Sequence, residues 1–413
     1  MEKIVFVIYG YYNGGAERRL TNLSNELSKQ GFQVEILALL GVADKPYYSL
    51  NENVKLATIN KKTDTVEYYS FSVKNTDLKT NFLLKNKDYY TNNSSKTSLQ
   101  NRIKKAIIPL WKKSVLLHRL NDIRYKRIIR EYLKQANPQI VVTFSVSDCK
   151  RALMAAKGMK FKLFDAEIVT HFRIEERFEK AFKQYLKMLK KVDGVIVQTQ
   201  SEKDYYMNEI ENVYVITNPI INDLPERFKG ERNKIILNFC RVAPTKNLEL
   251  LLEAFSIFHL EYPEYILEIY GNINGELERE YLPVIEKKIE ELHLEECALI
   301  LPPSADVHKK VLQSAMFVSS SNYEGLSNSM LEAMAIGLPC ICTDCFGGGT
   351  REVMIDHENG LIVPMNDSDA MYKAMKEFVE NPDLAEKCSR NAEKIRDKLS
   401  VEKITQQWFD VIG

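Results

Sequence analysis

Two predominantly apolar runs, KIVFVIYG and FQVEILAL, set the rhythm of the first forty positions. Between them lie a glycine turn, YYNGG, and a stretch, AERRLTNLSNELSKQG, whose apolar positions fall on one helical face. Apolar runs alternating with helical periodicity are the pattern of strand–helix–strand units that build parallel sheets. Further strands are predicted at QIVVTF (139–144), FKLFDA (161–166), GVIVQT (194–199) and NVYVIT (212–217). The pattern lapses over residues 75–100, polar and aperiodic, which read as a loop or insertion. It lapses again at NPIINDLPERFKGER (218–232), whose Pro and Asn residues suit an interdomain linker. A second alternating series then begins. It comprises KIILNFC (234–240), a helix NLELLLEAFSIFHLEY, YILEIYG (265–271), CALILP (297–302), AMFVSS (315–320) and LPCICTD (338–344). The closing segment VEKITQQWFDVIG puts apolar positions 401, 404, 408 and 411–412 on one stripe. The pattern thus predicts an α/β protein of two parallel-sheet domains, 1–217 and 218–395, with a last helix over 396–413.

Composition changes this picture little. With 413 residues, 45% hydrophobic and 27% charged, the chain is long enough for two ordinary cores. No apolar run reaches the length of a membrane span, and MEKIVFVIYG lacks the layout of a signal peptide. Seven cysteines form an odd set without framework spacing, which favours a reducing, cytoplasmic setting. Charge is more informative. The net charge is +1, yet residues 101–130 hold ten Lys/Arg against Asp122 alone. Ile107, Ile108, Leu110, Trp111, Val115, Leu116 and Leu117 are interleaved with these cations, and Pro109 interrupts any single helix. Such a segment can lie on an anionic membrane surface, placing the protein peripherally at the inner face, or it can be a solvated helical face. No nucleic-acid-binding module is recognisable.

Candidate chemistry gathers near residues 315–344. AMFVSS is a strand, NYEGLS a turn, and NSMLEAMAIG a helix whose N-cap is Ser327. Glu324 precedes this helix and Glu332 lies within it. Eight helical residues span about 12 Å, more than the roughly 5–10 Å between the carboxylates of a hydrolytic pair. That separation suits two ends of one elongated ligand, with a helix N-terminus between them to attract an anion. A nucleotide sugar, with ribose, diphosphate and hexose in line, has this layout. In CRVAPTKN (240–247), Arg241 ends a strand and Lys246 stands where a helix begins. Two cations there can neutralise charge growing on a departing diphosphate. Near the N-terminus, Gly14 and Gly15 in YGYYNGGAERR let backbone amides approach a phosphate or sugar. G-x-G-x-x-G is absent, so this is no dinucleotide fingerprint.

E-G-L-S-x4-E (324–332), AIGLP (335–339), GGTREVM (348–354) and NGLIVP (359–364) together resemble the family 4 retaining glycosyltransferases of GT-B fold. That resemblance covers nearly the whole chain and is weakest between residues 60 and 135. It implies two Rossmann-like domains facing each other across a cleft, with the last helix crossing back to the first domain. It implies that Glu332 binds the donor ribose and Glu324 the donor hexose. The amides of Gly325 and Leu326, with Ser327 beside them, would approach the sugar or diphosphate. Arg241 and Lys246 would grip the diphosphate, and GGAER would be a donor-facing loop. His171, in EIVTHFRIEERF, would face the donor sugar and acceptor, with Asp165 or Glu167 as alternatives in that register. The implied activity is metal-independent transfer of a hexose or N-acetylhexosamine from a UDP-linked sugar to a glycan, lipid-linked or protein acceptor. Capsular, exopolysaccharide or teichoic-acid assembly is the implied setting. A GT-B-fold sugar-nucleotide 2-epimerase and a catalytically silent partner subunit are the alternatives. No cofactor and no metal are expected. Cys340, Cys342 and Cys345 read as buried structural thiols, and D-S-D (367–369) as a helix N-cap.

Overall fold

The computed structural model describes residues 2–12, 15–42, 48–60, 63, 65–69, 110–166, 182–221, 223–273, 276–304 and 307–413. For 110–121, 272 and 276 only the backbone is described. Gly14, His171, Glu167 and residues 75–109 therefore lie outside the described residues.

The first domain is one sheet. Its strands are β1 (Lys3–Ile8), β2 (Gln33–Ala38), β3 (Lys55–Ile59), β4 (Val66–Tyr69), β5 (Ile140–Thr143), β6 (Lys162–Asp165), β7 (Gly194–Val197) and β8 (Val213–Val215). They lie in the order β4-β3-β2-β1-β5-β6-β7-β8, parallel throughout except for the edge pair β3/β4. The second sheet contains β9 (Asn233–Arg241), β10 (Ile266–Asn272), β11 (Ala298–Leu301), β12 (Ser314–Ser319), β13 (Cys340–Thr343) and β14 (Leu361–Val363). Its order is β11-β10-β9-β12-β13-β14 and every pair is parallel. In each sheet the winding reverses beside the first strand, between β1 and β5 and between β9 and β12. Ligands of open parallel sheets sit outside the strand carboxyl ends at such reversals.

Helices cover both faces because the strands are apolar on both. Leu20, Leu23 and Leu27 of the helix Gly15–Lys29 pack on Ile4, Phe6 and Ile8. Ile404, Trp408 and Ile412 of the last helix, Val401–Ile412, join the same cluster, so this C-terminal helix packs on the first sheet. Trp408 lies under the Arg19 guanidinium at 5.4 Å and stacks with Phe144 at 6.5 Å. The opposite face of the first sheet is covered by the helix Leu110–Ala136. Tyr125, Ile128, Ile129, Tyr132 and Leu133 of this helix pack against Val5, Val7, Leu37 and Val141. The end of the basic stretch is thus a core helix, and Pro109 lies outside the described residues. Among the described residues no helix is long and apolar enough to cross a membrane.

Candidate functional site

The second sheet's reversal point brings two loops together. β9 ends at Arg241, and a short 3-10 turn, Pro244–Lys246, leads through Asn247 into the helix Leu248–Glu261. Asn247 is left-handed, φ 47°, a conformation Asn tolerates better than most residues. Beyond β12, residues 320–324 lie against this turn. Ser320 Oγ donates to the Lys246 carbonyl at 2.9 Å, and the Asn322 amide donates to the Thr245 carbonyl at 3.0 Å. Lys246 and Glu324 consequently meet in a short ion pair, and Ser321 Oγ donates to the same Glu324 oxygen at 3.0 Å. Burial pulls the Lys246 ammonium down, but the Glu324 carboxylate overrides it and raises the pKa above its ordinary value. Arg241, more exposed, pairs with Glu278 at 3.0 Å.

The helix Asn328–Ala335 follows, capped by Ser327, whose hydroxyl accepts from the Met330 amide at 3.4 Å. Glu324 lies before this helix and Glu332 inside it. The turn that precedes the helix is tight. A Cβ on Gly349 would stand 1.7 Å from the Gly325 carbonyl oxygen, so only glycine fits where the 347–349 loop meets the turn. Glu332 is buried, with one carboxylate oxygen against His308 Nε2 at 2.7 Å and the other against Arg18 in a short ion pair. Burial alone would raise its pKa. The His308 hydrogen bond and the Arg18 charge outweigh burial and hold the carboxyl below the usual range.

Arg18 belongs to the facing domain. The helix Gly15–Lys29 begins so near the helix Asn328–Ala335 that a Cβ on Gly15 would lie 2.9 Å from Asn328 Nδ2. Two helix N-termini, each carrying partial positive charge, therefore converge, an arrangement that attracts anions. Residues after β7 close the cleft further. Gln198 Oε1 accepts the Leu326 amide at 2.9 Å, Thr199 Oγ1 donates to the Gly347 carbonyl at 2.8 Å, and the Gln200 amide donates to Glu352 at 2.7 Å. Asn218 Nδ2, in the linker, donates to Asn328 Oδ1 at 3.0 Å.

Of the residues singled out in the sequence, Lys246, Glu324, Gly325, Leu326, Ser327 and Glu332 belong to one continuous wall, with Arg241 at its rim and Gly15 opposite. The Leu326 amide, expected to face a ligand, is engaged by Gln198. Asp165 is fully buried at the end of β6, accepting from Thr143 and, at 2.5 Å, from the Tyr185 hydroxyl. Cys340, Cys342 and Cys345 are buried free thiols, and Asp367 caps the helix Ser368–Glu380 through the Ala370 amide at 2.8 Å. No sequence motif points to His308, Glu278 or Gln198, and Arg18 stands out only as part of the GGAERR turn. On the facing sheet's reversal point, Asp148 is completely buried, its carboxylate hydrogen-bonded to the Tyr9 backbone. Burial pushes its carboxyl up to about 6, with Ser145 and Arg151 acting in the opposite direction.

These two parallel-sheet domains, meeting at their reversal points, form a GT-B fold. Residues 221–395 match the family model described as glycosyl transferases group 1, so the second domain carries a group 1 glycosyltransferase domain. An uncharacterized glycosyltransferase of Haemophilus influenzae is 23% identical over 415 residues, covering 100% of both chains. The poly(ribitol-phosphate) alpha-N-acetylglucosaminyltransferase of Staphylococcus aureus is 29% identical over 240 residues, 57% of this chain and 47% of that protein. Among solved structures, a Staphylococcus aureus TarM mutant in complex with Fondaparinux, alpha-GlcNAc-glycerol and UDP superposes with a TM-score of 0.71. It is 16% identical and covers 100% of both chains.

Proposed function

We propose that this protein is a retaining, metal-independent glycosyltransferase that moves a hexose or N-acetylhexosamine from a UDP-linked sugar to a glycan or lipid-linked acceptor of bacterial surface-polymer assembly. The observation that carries this reading is the cluster at the β9/β12 reversal. Arg241, Lys246, Glu324 and Glu332 line one wall, and two helix N-termini meet there. An elongated dianion with a ribose at one end and a sugar at the other matches that order of groups. Glu332 would accept from the ribose hydroxyls and Glu324 from the hexose, while Lys246 exchanges part of its pairing with Glu324 for the diphosphate. In the reaction the C1–O bond to the diphosphate breaks and a bond from C1 to the acceptor oxygen forms on the same face. The acceptor proton passes to the departing phosphate oxygen. Arg241 and Lys246 stabilise the charge left behind, each contributing about 100-fold in rate, the usual scale for one preorganised charge stabiliser. His171 and Gly14 remain proposed donor-side residues on the strength of the family resemblance. The related poly(ribitol-phosphate) enzyme and the UDP-bound neighbour support the UDP and surface-polymer parts of the reading.

A panel of nucleotide sugars screened by thermal shift, followed by UDP release with wall-polymer and lipid-linked acceptors in EDTA, tests the proposal. Stabilisation by UDP-sugars and acceptor-dependent UDP release with retained anomeric configuration are expected. No response to any nucleotide sugar would remove the transferase reading. Activity lost in EDTA and restored by manganese would remove metal independence.

A further inference from the structure

The Glu332 carboxylate is shared between the two domains. One oxygen takes Arg18 from the helix Gly15–Lys29, and the other takes His308 Nε2 at 2.7 Å from the second domain. The three side chains are 8%, 22% and 16% exposed, so the cluster is largely shielded from water. Its carboxyl is held below the usual range, as described above, and is ionised at neutral pH. A buried carboxylate of this kind requires a compensating donor or charge whenever the cleft is empty.

The two partners are tethered differently. His308 lies in the short helix Val307–Val311, its ring edge-on to Phe239 at 5.9 Å, and Phe239 packs on Phe317 at 5.2 Å. The imidazole is thereby fixed to the same core as Glu332 and travels with it. Arg18 reaches over from the opposite domain on a long side chain with many rotamers. A ribose diol offers two O–H donors, and the carboxylate oxygen that Arg18 holds can accept from them once Arg18 leaves.

We propose that Arg18 is an internal stand-in for the donor ribose. It occupies Glu332 while the cleft is empty and is displaced when a nucleotide binds, whereas His308 keeps the second oxygen and positions the carboxylate throughout. This inference rests on the reading of Glu332 as the ribose ligand. It makes nucleotide affinity a competition inside the protein, and it makes nucleotide entry break an ion pair that ties the two domains together.

Calorimetric titration of the full chain with UDP and with inorganic pyrophosphate, which lacks the ribose, tests it. Arg18→Ala and the milder Arg18→Gln should tighten UDP binding by about tenfold, equivalent to about 1.4 kcal/mol. His308→Ala should weaken UDP binding by a similar factor, and His308→Gln, which restores a donor, should recover most of the loss. Pyrophosphate binding should be unchanged in all four. Arg18 variants that bind UDP more weakly, or as wild type does, would overturn the competition, and a silent His308→Ala would overturn the positioning role. Pyrophosphate affinity moving in parallel with UDP would also overturn it, since the effect would then not act through the ribose. Wild-type protein that binds pyrophosphate and UDP equally would instead remove the ribose reading of Glu332, and the inference with it.

Discussion

Glu324→Gln replaces the carboxylate facing Lys246 with an amide of nearly the same shape, leaving the ammonium without its counter-charge. The two side chains are 13% and 18% exposed, so solvent cannot readily compensate. Removing one partner of a buried pair costs about 3–5 kcal/mol, and the residual exposure favours the lower end, about 3 kcal/mol. For a domain of this size each kcal/mol moves the midpoint by about 2–4 °C, so a loss of about 6–12 °C is expected. The pH dependence is the sharper signature. In the wild type Lys246 is raised above its ordinary value of 10.5, so its stabilising contribution is complete below that value. It disappears only as pH climbs through the raised pKa, and stability should therefore be flat from pH 6 to 9. In the variant, burial and the neighbouring Arg241 charge both act to lower the Lys246 pKa. A group lowered on folding penalises the native state at low pH and releases that penalty as it deprotonates. The midpoint deficit should accordingly be largest near pH 6 and shrink toward pH 9, while turnover falls over the same interval as Lys246 loses its charge. Thermal unfolding by circular dichroism across pH 6–9 measures this. A deficit below 2 °C, or one independent of pH, would refute the argument that Glu324 sustains the Lys246 charge.

Other expectations follow from the same geometry. Arg241→Ala should lower turnover about 100-fold, read as initial rates of UDP release. Trp408→Ala removes a side chain wedged between Phe144 and Arg19 and should cost about 3–5 kcal/mol, measured by denaturant unfolding. From the sequence pattern alone we propose that the basic stretch 101–130 binds an anionic surface, and exchanging Lys104, Lys105, Lys112 and Lys113 for Glu should then release the protein from anionic vesicles in a salt-dependent co-sedimentation assay while sparing UDP binding. Equal binding of wild type and variant would leave the basic stretch without a membrane role.

Much of the fold could be read along the chain because its strands are apolar on both faces. KIVFVI and KIILNFC announce themselves without tertiary information, and their alternation with helices fixes parallel pairing. The edge strand β4 and its neighbour β3 escaped notice because Lys55–Ile59 and Val66–Tyr69 are short and stand in polar stretches of sequence. The helix Leu110–Ala136 was obscured by its cations, which drew attention to a surface role. Tyr125, Ile128, Ile129, Tyr132 and Leu133 nevertheless repeat at helical spacing and face the core. At the site, Lys246, Glu324 and Glu332 were visible because each lies in a short local motif. Their partners were not. Arg18 meets Glu332 across 314 residues of sequence and Gln198 meets Leu326 across 128, and no local spacing encodes such encounters. His308 is closer, 24 residues from Glu332, but sits alone after an undistinguished loop.

We propose that the β9/β12 reversal binds a nucleoside diphosphate through both its ribose and its phosphates. Calorimetry of wild-type protein and Arg241→Ala with UDP and UMP tests this most directly. UDP should bind the wild type at least tenfold more tightly than UMP, and Arg241→Ala should abolish most of that difference while leaving UMP affinity intact. Equal affinity for UDP and UMP in the wild type, or a preference untouched by Arg241→Ala, would contradict the claim.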